Sequence, residues 1–212
     1  VRVSVEGVYF SYPSGVEALR GVSLAIEPGD AVAILGENGA GKTTLAKHLN
    51  GLLKPGAGRV LVGDWDTRER TTAQMAARVG YVFQNPDDQL FERVVRKEVA
   101  FGPRNLGYSE AEVERLVTEA LEEVGLADHA GEHPYDLPLS QRKLLALATV
   151  LAMQPPVIIL DEPTTGQDAS GIARIGRIVE DLKEQGRTVI TISHDVDFCA
   201  EHFARAVLMS HA

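Results

Sequence analysis

The run GENGAGKTT at Gly36 to Thr44 restricts this chain more than any other stretch. An apolar segment, AVAIL at Ala31 to Leu35, precedes it, and a helical pattern from Thr43 to about Leu52 follows. Strand, glycine loop and helix in that order are the context in which G-x-x-x-x-G-K-[ST] reads as a phosphate loop. The glycines let backbone N–H groups converge on phosphate oxygens without side-chain clash. The helix N-terminus adds partial positive charge. Gly36, Glu37, Asn38, Gly39, Ala40, Gly41, Lys42, Thr43 and Thr44 are therefore the candidate ATP-phosphate cradle. Lys42 would bring a point charge to the β- and γ-phosphates, and Thr43 a hydroxyl for Mg²⁺. A plain glycine-rich turn is the blander alternative, and the complete motif with both flanks weighs against it.

Further apolar runs fall at Val79 to Phe83, Val157 to Leu160 and Thr188 to Ile192. Near-continuous apolar strands belong to a sheet covered on both faces, and helical patterns between them make the chain α/β. The first segments, VRVSVEGVYF and LRGVSLAI, alternate instead, which predicts an N-terminal antiparallel β region. From about Asp87 to about Gln141 no convincing strand occurs. Ser109 and Glu112 form a capping-box pair, apolar residues from Val113 to Val124 follow at helical spacing, and Gly125 stops the helix. Its acidic face, Glu110 to Glu123, reads as solvated. The expected architecture is one domain over 1–212. Residues 1–86 and 142–212 form a P-loop core with a mixed sheet and the β region, and residues 87–141 form an α-helical subdomain.

A second motif answers the first. VIILDE, Val157 to Glu162, is a buried strand ending in two carboxylates. Asp161 would hold Mg²⁺ beside the loop, and Glu162, one residue on, would polarise an attacking water as general base. An acid pair capping the next helix is the alternative.

Composition excludes several classes. The net charge of −9 argues against a nucleic-acid footprint over the whole surface. One cysteine, Cys199, cannot build a disulfide framework within the chain. The longest apolar candidate, Leu144 to Met153, runs into Gln154, Pro155 and Pro156 and reads as a buried helix, short of the roughly 18 residues a span needs. No signal-peptide pattern opens the chain. The first residue is Val1, so a trimmed, processed or partial chain is expected.

With both motifs in place the sequence resembles the nucleotide-binding domains of ABC transporters along essentially its whole length. That resemblance implies further roles. Tyr12, in YFSYPSG, matches the aromatic that stacks on adenine, although an exposed Tyr near a turn is also a common packing residue. Gln84, in FQNPDDQLF, matches the glutamine that touches Mg²⁺ and the attacking water. Asp168, in TTGQD, matches the D-loop aspartate, and His194, in TISHD, the histidine at the γ-phosphate. QNPDDQLF together with VAFGPRNLG, Val99 to Gly107, is similar to the ATPases of energy-coupling-factor importers. Those take up vitamins or transition-metal ions. They pair two ATPase domains with a membrane coupling subunit and a substrate-binding membrane subunit, at the cytoplasmic face of the plasma membrane. Asp87, Asp88 and Gln89 would then lie near the groove for the coupling helices.

One motif departs from the family. Where LSGGQ is expected, the chain reads Leu137, Pro138, Leu139, Ser140, Gln141. In the family the serine hydroxyl and glycine N–H groups of this segment meet the γ-phosphate held by the opposite subunit. Pro138 has neither hydroxyl nor N–H, and Leu139 adds bulk. Ser140 is expected to cap a helix that starts near Gln141. The resemblance therefore implies a heterodimer or fused tandem with unequal sites. A regulatory domain with a weak or inactive site, and a non-transport ABC ATPase acting on DNA or ribosomes, are the competing readings. The short acidic insert argues against the last, so no nucleic-acid partner is expected.

Overall fold

The computed structural model describes residues 1–210. In chain order it contains β1 (Val3–Ser11), β2 (Glu17–Ile26), β3 (Ala31–Gly36), α1 (Lys42–Leu49), β4 (Ala57–Val62), β5 (Trp65–Asp66), α2 (Thr72–Met75) and β6 (Val79–Val82). These are followed by α3 (Val95–Asn105), α4 (Glu110–Glu123), α5 (Leu139–Leu151), β7 (Val157–Asp161), α6 (Ala169–Glu184), β8 (Thr188–Ile192), α7 (Val196–His202) and β9 (Arg205–Met209). The mixture of strand directions is realised as two sheets. One is antiparallel, in the order β2-β1-β4-β5, and the other is parallel, in the order β6-β7-β8-β3-β9.

The apolar runs are buried strands because both faces of the parallel sheet are covered. Along β7, Val157 and Ile159 face a core shared with α1 and the antiparallel sheet. Ile158 and Leu160 face a second core shared with α3 to α7. All four are at most 1% exposed. Each such side chain contributes about 1.5–3 kcal/mol on burial. Strands β4 and β5 complete the antiparallel sheet but carry little sequence signal. Only Val60 and Val62 of β4 are buried, and Ala57 to Arg59 are exposed.

Residues 87–141 hold α3, α4, short 3-10 turns and the first residues of α5, with no strand, so the expected boundary at 141 falls inside a helix. The predicted capping box is present: Ser109 Oγ accepts from Glu112 N at 3.4 Å while Ser109 N donates to Glu112 Oε2 at 3.0 Å. The acidic face of α4 is mostly solvated and paired, with Glu110 on Arg104, Glu114 on Arg96 and Glu119 on Arg115. Two helix ends differ from expectation. Helix α1 stops at Leu49, short of Leu52, because Gly51 turns the chain at φ 75°. Helix α5 begins at Leu139, with Pro138 as its extended N-cap residue. The Pro138 carbonyl already accepts from Arg142 N at 3.0 Å, so Ser140 lies inside the first turn and does not cap the helix.

Candidate active site

Sheet register brings the motifs together. Ile34 pairs with Ile192, and Ile192 pairs with Asp161, so β3, β8 and β7 end in one row. The loops that leave that row carry the glycine run, His194 and Glu162. Ligands of open parallel sheets bind at this carboxyl edge. A cavity of about 300 Å³ lies there, and its lining includes Tyr12, Lys42, Thr43, Gln84, Glu162 and His194. A cavity of about 310 Å³ between β2 and β9 meets the glycine loop only at Gly39 and Ala40 and lacks the charged groups of the first.

The glycines are required by space. A Cβ on Gly36 would stand 2.1 Å from the Met209 carbonyl oxygen, and one on Gly41 would stand 2.5 Å from that of Ala18. Both have positive φ, at 146° and 90°. Lys42 is 7% exposed, and its Nζ donates to the carbonyls of Gly36 at 2.7 Å and Glu37 at 2.9 Å. The ammonium is thus folded back into its own loop, where phosphate oxygens can replace the two carbonyls. Thr43 Oγ1 donates to Asp161 Oδ1 at 3.5 Å. The other Asp161 oxygen accepts from Tyr81 Oη at 2.7 Å, inside the protein. Burial, then the Asp161 charge, drives the Tyr81 phenol far up, so it remains a donor. Tyr81 was not predictable as a site residue, although a Tyr in a buried strand needs a partner for its hydroxyl.

Glu162 is 6% exposed and takes a left-handed backbone, φ 51°, ahead of Pro163. For a residue other than glycine such a conformation costs about 1–3 kcal/mol and persists only where surroundings enforce it. Here Glu162 N donates to the Ile192 carbonyl at 2.8 Å. Its carboxylate meets both groups of His194: the ring Nε2 at 3.1 Å and the backbone N–H at 3.3 Å. Lys143 Nζ donates to the Thr165 carbonyl at 2.7 Å and to that of Glu162 at 3.4 Å. Burial raises the Glu162 pKa, while the nearby charges of His194 and Lys42 pull it down. A carboxylate so placed has raised basicity and faces the cavity, the combination a water-activating base needs.

Not every predicted residue belongs to this cavity. Pro138, Leu139, Ser140 and Gln141 do not line it, and Leu139 is 47% exposed. Asp168 is exposed and caps α6, accepting from Gly171 N at 2.7 Å. The two segments are joined, since Gln167 Nε2 donates to the Ser140 carbonyl at 2.9 Å. Gln89 is half-buried with its amide fully engaged. It accepts from Phe83 N and donates to the Ala146 carbonyl and Thr149 Oγ1, each within 3.0 Å. Asp87 pairs with Arg142 at 3.4 Å. Tying the Gln84 loop to α5 is thus what Gln89 does, a role that no local pattern signalled.

Residues 19–165 match the family described as ABC transporter. The chain belongs to that family. It is an ABC transporter ATP-binding subunit and an ATPase. The energy-coupling factor transporter ATP-binding protein EcfA of Methanothermobacter thermautotrophicus is 44% identical over 210 residues, covering 98% of this chain and 68% of the relative. Among solved structures, cbiO1 from Clostridium perfringens, part of the ABC transporter complex cbiONQ, is 37% identical with a TM-score of 0.84. That match covers 98% of this chain and 84% of the other. A dimeric ATP-binding cassette in a post-hydrolysis state, bound to ADP and Pi, is 27% identical with a TM-score of 0.89, at 98% and 94% coverage. ABC ATPases bind ATP and dimerise as cassettes. Among the described residues no helix is long and apolar enough to cross a membrane.

Proposed function

We propose that the chain is the motor of an importer of the energy-coupling-factor kind. On this reading it hydrolyses ATP at the cavity described above and drives membrane partner subunits that take up a small solute, a vitamin or a transition-metal ion. It is a single ABC ATPase domain, with 87–141 as its helical subdomain, bound peripherally at the cytoplasmic face of the membrane. Gly36 to Thr44 hold the phosphates, and Tyr12 takes the base. Thr43, Gln84 and Asp161 present the oxygen donors that a Mg²⁺ bound with ATP prefers, and the ion would neutralise phosphate charge. Glu162 orients and deprotonates the water that attacks the γ-phosphorus. His194 holds the Glu162 carboxylate and reaches toward the same phosphate. Lys42 leaves its two carbonyls to stabilise charge on the departing diphosphate.

The observation that carries transport coupling is a groove beside the Gln84 loop. Leu52, Phe91 and Phe101 are 41%, 59% and 44% exposed along a cavity of about 220 Å³, with buried Glu98 in its wall. Large apolar residues gathered in one concave exposed patch mark a protein contact. A membrane coupling subunit suits it, in keeping with the names of the relatives above. Reconstitution of the chain with membrane partners in proteoliposomes tests this. Phe101→Glu should abolish solute uptake while the isolated chain still hydrolyses ATP. Uptake at the unaltered rate would overturn the assignment of the groove.

The altered Pro138–Gln141 segment favours one second reading, a domain that binds ATP with little turnover. Glu162→Gln separates the two, because only an active site has turnover to lose.

A further inference from the structure

The end of β1 is fastened to α1 at two points one helical turn apart. Tyr12 Oη shares a hydrogen bond with Thr44 Oγ1 at 2.9 Å. Phe10 meets the His48 ring edge to face, with centroids 4.7 Å apart and planes at 78°. The same Phe10 meets Tyr12 edge to face at 5.0 Å and 86°. Thr44 and His48 are themselves joined, for His48 Nδ1 lies 2.7 Å from the Thr44 carbonyl oxygen. A carbonyl only accepts, so Nδ1 carries the ring proton.

His48 is fully buried, and its Nε2 makes no hydrogen bond of standard geometry. Burial pushes its pKa down, against the opposing pull of the Thr44 and Lys54 carbonyls. Leucine would fill similar space without leaving a buried nitrogen short of a well-formed hydrogen bond. Packing alone therefore does not account for an imidazole here. What leucine lacks is a flat ring able to fix the orientation of a neighbouring aromatic.

We propose that His48 is a positioning residue for nucleotide recognition. Acting through Phe10, it sets the angle of the Tyr12 ring over the phosphate cavity, so that the base platform is carried by the helix that holds the phosphates. This rests on the reading of Tyr12 as the base-stacking ring. Recognition of the base and of the phosphates is then built on one element, α1.

Titration calorimetry with Mg-ATP and with Mg-tripolyphosphate, which has no base, tests the proposal. His48→Leu, and His48→Asn, which keeps a donor for the Thr44 carbonyl but removes the ring, should each weaken ATP binding about threefold to tenfold. Both should leave tripolyphosphate binding unchanged. Tyr12→Ala should show the same selectivity, and adding His48→Leu to it should cost nothing more. Equal weakening for both ligands would overturn the proposal, since that is what general support of α1 would give. Unchanged ATP binding in the His48 variants alongside a loss in Tyr12→Ala would overturn it too. Unchanged ATP binding in Tyr12→Ala would instead remove the base-stacking reading on which it stands. Phe10→Leu, which leaves His48 in place, decides the matter by the same criteria if the His48 variants do not fold.

Discussion

On the function proposed above, two parts of this chain face nucleotide, and they are built differently. At the carboxyl edge of the parallel sheet, Lys42, Asp161 and Glu162 are each at most 7% exposed and held by named partners. At the start of α5, Leu139 is 47% exposed, Pro138 offers no donor, and Ser140 is held through its backbone carbonyl. Preorganised donors stabilise developing charge because they do not have to reorganise during the reaction. The first region has them and the second offers few. Under the dimeric reading the two regions serve different ATP molecules, so one chain contributes a well-formed half to one site and a poor half to the other.

The largest effect expected is on the first region. Glu162→Gln should lower turnover about 10²–10⁴-fold while ATP binding persists, measured by phosphate release alongside nucleotide binding. A loss below tenfold would mean that Glu162 is not the base and would erase the contrast between the regions. A smaller effect concerns pH. Burial raises the Glu162 pKa above its ordinary 4.5, and the base works only when ionised. Turnover should therefore fall on acidification at a higher pH than an ordinary carboxylate would give. The stability sign is opposite. A raised folded-state pKa favours the fold below the unfolded pKa, and that contribution is lost as pH rises through the folded value. Glu162→Gln should thus raise Tm slightly at neutral pH and leave it unmoved well below pH 4. A lower Tm at neutral pH would contradict the assigned burial cost.

Much of the first region was legible in the sequence because its signals are local. Ala31 to Thr44 carries strand, loop and helix start in consecutive residues, and VIILDE is a strand with its acids at the end. The α4 cap was equally local. What escaped detection depends on distant pairing. Tyr81 meets Asp161 across 80 positions, and Gln89 reaches Thr149 across 60. Strand β4 is defined by its pairing with β1, since its own alternation covers only two buried residues. The start of α5 misled for a physical reason. Ser140 is a good cap by type, but the extended Pro138 ahead of it already starts the hydrogen-bond ladder at Leu139. Lys143, which braces the backbone after Glu162, sits in a helix whose pattern announces only burial.

The measurement that bears most directly on the two-region account is ATP turnover of the chain alone compared with turnover after mixing with a partner ATPase that carries a regular LSGGQ. The account predicts slow turnover alone and a marked rise on mixing, with the rise abolished by Glu162→Gln in this chain. Equal turnover in the two preparations would contradict it.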